Sequence, residues 1–126
     1  GDRLIIDKDI EPRALEALVP SLILQPLIEN AIKYAIAPRE DGGTIRMSAL
    51  VQDDMLVMRL ADDGPGLGNG KSKHKSSGVG LKNTRERLTQ FYGDRQAFTL
   101  GPNEPHGLVI TINIPYETED AESADR

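Results

Sequence analysis

Between Ser21 and Ile36 the apolar residues Leu24, Leu27, Ile28, Ala31, Ile32 and Ala35 recur at the i, i+3, i+4, i+7 spacing of a helix with one buried stripe. Pro20-Ser21 supplies a cap for that helix, and Pro26, which has no N–H, places a local defect inside it. Past Pro38 and Asp41-Gly42-Gly43 the period changes to two. Ile45, Met47, Ala49 and Val51 alternate with Thr44, Arg46, Ser48 and Leu50. Beyond Asp53-Asp54, Leu56, Met58 and Leu60 alternate with Val57, Arg59 and Ala61, which predicts a β-hairpin. A second helix follows, with Leu81, Thr84, Leu88 and Phe91 or Tyr92 on one face and Gly93 as its stop. Ala97 to Leu100 and Leu108 to Ile114 form the last two strands, around the turn-rich Gly101-Pro102-Asn103-Glu104-Pro105. At the other end, Leu4 to Asp7 is a short β-like run and Pro12 opens a short helix through Leu18.

This order predicts an α+β fold, a two-layer α/β sandwich whose mixed, mostly antiparallel sheet carries helices on one face. With 126 residues, 38% hydrophobic and 28% charged, the chain suits one globular domain with a real core. The net charge of −5 is concentrated at the end: the last ten residues, 117–126, carry −4, leaving −1 for the body. That places the domain at 1–116, with an acidic, disordered tail at 117–126, and gives no footprint for nucleic acid. No cysteine is present, which excludes disulfides and thiolate zinc sites. The apolar stretch Leu18 to Ile28 is about half the ~20 residues that span a bilayer, and the first residues lack the regions of a signal peptide. The expected setting is cytoplasmic, with no membrane contact by this chain itself.

Glycine changes the picture. Six of the 12 glycines (Gly64, Gly66, Gly68, Gly70, Gly78 and Gly80) fall within 17 residues. Gly70-Lys71-Ser72 ends like a P-loop, but the leading glycine of that motif would stand where Pro65 is, and the spacing of a dinucleotide fingerprint fails as well. Residues 64 to 77 have no apolar period and predict a mobile loop.

Three segments around the cluster carry candidate chemistry. Strict alternation from Leu56, Met58 and Leu60 points Asp62 inward, where a carboxylate needs a partner; it either caps the strand locally or floors a pocket that takes a ligand amine. Asn30, Lys33 and Tyr34 share a helix face beside the apolar stripe, suited to Mg²⁺ and phosphate oxygens or, more plainly, to a solvated face with a Glu29–Lys33 ion pair. Ser76-Ser77-Gly78-Val79-Gly80-Leu81 opens a helix, where free N–H groups favour an anion. Lys82 and Arg85 stand at the wrong end of that helix for its dipole, as a bound polyanion would explain.

In order and spacing these segments resemble the nucleotide-binding domain of sensor histidine kinases, the GHKL or Bergerat fold shared with Hsp90, gyrase B and MutL. Leu27-Ile28-Glu29-Asn30-Ala31-Ile32-Lys33-Tyr34 resembles the N box, Asp62-Asp63-Gly64-Pro65-Gly66 the G1 box, and Gly78-Val79-Gly80-Leu81 the G2 box. Val19 to Ala31 and Gly80 to Leu88 look like the LytS/YehU-type kinases. The similarity covers about residues 3 to 116. Two positions depart from it: Asp63, where Asn is frequent, which bears on local hydrogen bonding, and Leu108, where many relatives have Thr, which removes a hydroxyl near the adenine site.

The resemblance implies ATP and Mg²⁺. Asn30 would ligate the metal, Lys33 would contact phosphate and Tyr34 would lie along the nucleotide. Asp62 would accept from the adenine amino group above Gly64 and Gly66, residues 67 to 77 would form a lid, and Gly78, Val79, Gly80 and Leu81 would hold phosphates. Glu29 would assist proton transfer as the catalytic residue, or pair with Lys33. The γ-phosphoryl would pass to a histidine on an upstream dimerisation domain that this chain does not include, since His74 and His106 fit no such helix. The parent would be a homodimer at the inner membrane, signalling to a LytTR-type response regulator. The alternatives are a degenerate GHKL module acting by docking to a partner, and an ATPase of the Hsp90 or MutL kind.

Overall fold

The computed structural model describes residues 4–36, 42–64 and 77–119, with only the backbone described at 21, 22, 34, 35 and 77–79. Five strands make one sheet: β1 (Leu4–Ile10), β2 (Gly43–Gln52), β3 (Met55–Asp62), β4 (Ala97–Pro102) and β5 (Leu108–Pro115). Their order is β1-β2-β3-β5-β4, with β1 parallel to β2 and every other neighbouring pair antiparallel. Helices α1 (Ser21–Asn30) and α2 (Ser77–Tyr92) lie against each other on one face.

Alternation decides which side chains meet those helices. Ile45 from β2, Leu56, Met58 and Leu60 from β3, and Ile110, Ile112 and Ile114 from β5 are buried against Ile23 and Leu27 of α1 and Leu81 and Leu88 of α2. Burying a side chain of this size contributes about 1.5–3 kcal/mol, so this layer is the main source of stability. The β2–β3 connection is Asp53-Asp54, with φ of 53° and 64°, the left-handed pair that a two-residue type I′ turn needs.

Several boundaries differ from the sequence expectation. The helix expected over Ser21 to Ile36 ends as α-helix at Asn30 and continues as a π-helical turn, Ala31–Ile36. At the change, the Ala31 N–H is shared between the carbonyls of Leu27 and Ile28, the i−4 and i−3 positions. No side chain caps α1: Pro20 is its N-cap, and the Ile23 N–H bonds the Pro20 carbonyl at 3.1 Å. The short helix after Pro12 is a 3₁₀ turn that stops at Glu16. β1 runs three residues past Asp7, because parallel pairing carries it to Ile10 opposite Ala49. Of the two aromatic candidates on α2, Tyr92 packs on the core, while Phe91 is 54% exposed. At the carboxyl end the Leu18 N–H bonds the Glu117 carbonyl at 2.8 Å and Thr118 bridges Ala17, so ordered pairing passes the boundary expected at 116. Residues 120–126 lie outside the described part.

Candidate functional site

Asp62 is the last residue of β3, and the alternation that buries Leu56, Met58 and Leu60 leaves its side chain on the helix side, 5% exposed. Its Oδ1 accepts the Gly64 N–H at 2.9 Å, which holds the carboxylate against the turn that follows. Asp63 points the other way. Its Oδ1 accepts the Thr44 N–H at 3.0 Å, and its own N–H donates to the Thr44 carbonyl at 3.3 Å, extending the β2–β3 ladder by one step. An Asn amide oxygen would serve there equally, so this departure from the family pattern costs the turn no acceptor.

The second polar group comes from the end of α1. Asn30 is half-buried, and its amide lies against Gly80 in the first turn of α2, so closely that a Cβ at position 80 would overlap it. The Thr84 hydroxyl, 2% exposed, donates to the Gly80 carbonyl at 3.1 Å and steadies that turn. Asn30 and Asp62 then share a narrow cavity of about 10 Å³, walled by Leu27, Leu60, Leu81 and Leu108, with room for about one water. Glycine at 80 thus has a steric reason, and the residues that resemble the N, G1 and G2 boxes converge on one place.

The remaining expected residues divide. Leu81 and Leu108 are buried in the cavity wall, so an apolar side chain stands where many relatives have Thr. Gly64 is buried in the turn. Gly78 and Val79 belong to the first turn of α2, and Tyr34 to the π-helical turn, each with only its backbone described. Glu29 is exposed and accepts the Gln25 Nε2–H at 3.1 Å. Lys33 is exposed; the wider π turn alters the α-helical spacing that would have aligned it with Asn30. Gly66, His74 and residues 67–76 of the lid expected at 67 to 77 lie outside the described residues.

Arg85 requires a correction. Its Nη1–H donates to the Phe98 carbonyl at 3.1 Å and its guanidinium sits 4.7 Å from the centre of the Phe98 ring. It ties α2 to β4, and this accounts for its position without a bound polyanion.

Sequence patterns placed the turn between β4 and β5 but missed that it presses on Asp62 and Gly64 from outside the three boxes. The Asn103 Nδ2–H donates to the Asp62 carbonyl at 2.9 Å, and His106 Nδ1 lies 3.0 Å from the Gly64 carbonyl oxygen. The signal available in the sequence was only a polar, Pro- and Gly-rich turn.

Larger hollows lie elsewhere, and chemistry rather than volume separates them from the site. One of about 70 Å³ beneath α1, beside Leu24, Ile28 and Met47, has an almost wholly apolar wall. Two of about 540 and 550 Å³ are open depressions on the bare sheet face, around Ser48 and Arg59. The narrow cavity joins a buried carboxylate, an amide and a helix start.

Known proteins resemble this chain in sequence and in fold. The family profile described as histidine kinase-, DNA gyrase B-, and HSP90-like ATPase matches residues 17–118. The chain belongs to this family. Within this ATPase family, it is 34% identical over 119 residues to the sensor histidine kinase YesM of Bacillus subtilis, covering 94% of this chain and 21% of that protein. It is 26% identical over 131 residues to the sensor protein LytS of Enterococcus faecalis, covering 97% of this chain and 22% of that one. The chain therefore spans about a fifth of the length of these two relatives. Among solved structures, the catalytic domain of histidine kinase ThkA superposes with a TM-score of 0.65 at 20% identity, over 92% of this chain and 82% of that one. This likeness shows the ATPase family's fold.

Proposed function

We propose that this domain is the ATP-binding catalytic part of a sensor histidine kinase, presenting the γ-phosphoryl group of ATP to a histidine on an upstream dimerisation domain of the same protein. The observation that carries this reading is the convergence of buried Asp62, Asn30 and side-chain-free Gly80 on one cavity at the start of α2. Asp62 accepts the adenine amino group, and Leu81 and Leu108 flank the ring. The first turn of α2, from Gly78 to Leu81, offers N–H groups to the phosphates.

The site also suits Mg²⁺. Mg²⁺ keeps most of its waters and binds through one or two protein oxygens plus substrate phosphates. The Asn30 amide, which occupies the space left by glycine at position 80, offers one such oxygen beside the expected phosphates. Bound there, the metal would supply neutralisation of phosphate charge. The chain's own residues do the rest: they bind the base, orient the triphosphate and exclude water around it. Glu29 is the candidate for proton transfer, Lys33 and Tyr34 for further nucleotide contacts. In the parent, the LytS likeness favours a membrane-associated homodimer that passes its phosphoryl group to a response regulator of the LytTR type.

Asp62→Asn tests the assignment. A hydrogen bond to a charged group is worth about 1.5–3 kcal/mol, which corresponds to a ~10- to 100-fold loss of ATP affinity. Titration calorimetry that shows no loss would remove Asp62 from the base site. Asn30→Ala should weaken MgATP binding while leaving metal-free ADP binding nearly intact; equal effects on both would remove Asn30 as ligand. The alternative, a degenerate module that docks to a partner, draws on Leu108, whose apolar side chain takes a place in the cavity wall. Failure of ATP and ADP to bind at any accessible concentration, with or without Mg²⁺, would favour it.

A further inference from the structure

The turn 103–107 grips the segment that carries Asp62. We infer that Asn103 and His106 are positioning residues for nucleotide-base recognition, acting through the main chain at Asp62 and Gly64. The inference rests on the proposal that Asp62 binds the base.

Two carbonyls in this segment are each held from the β4–β5 side. Asn103 Nδ2–H donates to the Asp62 carbonyl at 2.9 Å, and His106 Nδ1 is 3.0 Å from the Gly64 carbonyl oxygen. A carbonyl can only accept, so Nδ1 carries the proton, either in the neutral ring or in the imidazolium. The turn that presents these donors is itself fastened. The Asn103 N–H bonds the Gly107 carbonyl at 3.1 Å, and the Glu104 N–H bonds Asn103 Oδ1 at 2.9 Å. Gly107, at φ 120°, lets the chain pass so near the Asp62 carbonyl that a Cβ would overlap it.

The consequence falls on the carboxylate. Asp62 Oδ1 accepts the Gly64 N–H at 2.9 Å, so the aim of the side chain follows the orientation of the peptide that carries this N–H. That peptide is flanked by the two carbonyls that Asn103 and His106 hold. Glycine at position 64, with the widest backbone freedom of any residue, would let an unheld turn drift. Asp63 fastens the other side to β2 through Thr44, so the carboxylate sits in a frame tied to both neighbouring strands. Discrimination between bases needs such a frame, because a carboxylate that rejects a base lacking the matching donor must not be able to move aside.

Asn103→Ala and His106→Phe are each expected to lower ATP affinity about three- to tenfold, the worth of one hydrogen bond. The ATP:GTP affinity ratio should fall with it, a change that general loosening of the fold would not produce. His106→Asn, which keeps an N–H donor at the δ position, should recover most of the loss. The measurements are calorimetric titrations of the full chain with ATP and with GTP, alongside melting temperatures and the Asp62→Asn control. An unchanged ATP:GTP ratio in both Asn103→Ala and His106→Phe, with Asp62→Asn still weakening ATP, overturns the positioning role alone. Failure of His106→Asn to restore binding overturns the part assigned to the His106 donor. No effect of Asp62→Asn overturns the base-site proposal, and the positioning role with it.

Discussion

Gly80→Ala sets two opposing effects against each other at the centre of the site. Gly80 is the fourth residue of α2, and in a helix interior alanine is favoured over glycine by about 0.8–1 kcal/mol. The new methyl group, however, would overlap the Asn30 amide, whose Cγ would lie only 3.3 Å from it. Overpacking of this kind costs about 1–3 kcal/mol. If the side chains stay where they are, the net change is about 0–2 kcal/mol of destabilisation, or a fall in Tm of up to about 10 °C for a domain near 100 residues. If Asn30 instead swings away, the fold keeps the alanine gain and the site loses its amide. In that second case ATP binding suffers, by ~10- to 100-fold if the lost contact is one bond to a charged group. The two responses are separated by thermal melts without nucleotide, paired with calorimetric titration by MgATP. A variant with raised Tm and wild-type MgATP affinity would refute the reasoning, since Asn30 would then be neither fixed by Gly80 nor needed for binding.

Arg85→Met should lower stability by about 1 kcal/mol, because it removes a part-buried hydrogen bond to the Phe98 carbonyl and a cation–π contact; a large loss of ATP affinity without loss of Tm would return Arg85 to the phosphate site. Burial raises the Tyr92 pKa above its usual value, with Glu117 adding to the rise and Arg95 opposing it. The phenol is therefore deprotonated more readily in the unfolded chain, so the stability it lends is complete below about pH 10 and is lost as pH rises through the folded value. Tyr92→Phe should flatten this alkaline decline in melting temperature, and an unaltered decline would assign it to other groups.

The period of two was enough to place Asp62 on the buried face of β3, since a strand whose Leu56, Met58 and Leu60 face inward sends Asp62 with them. The same rule found the β2–β3 hairpin, and the helical spacing found the core stripe of α2. Between Ala31 and Ile36 it failed: apolar spacing cannot tell an α-helical turn from a π-helical one, because the two differ in which carbonyl receives an N–H. Arg85 was misjudged for a related reason. Its place relative to the helix dipole is written in the sequence, but its partner Phe98 is on strand β4, 13 residues away.

By itself, then, the sequence determined the strand and helix periods, the inward carboxylate and the three glycine-bearing or polar segments whose order resembles an ATPase. Their meeting point was decided only by the tertiary structure. Packing α1 beside α2 is what sets Asn30 against Gly80, and pairing β5 with β3 is what brings Asn103 and His106 to the backbone of Asp62 and Gly64, 41 and 42 residues away. Periodicity is a short-range property of the chain, whereas a binding site is made by contacts between segments far apart along it.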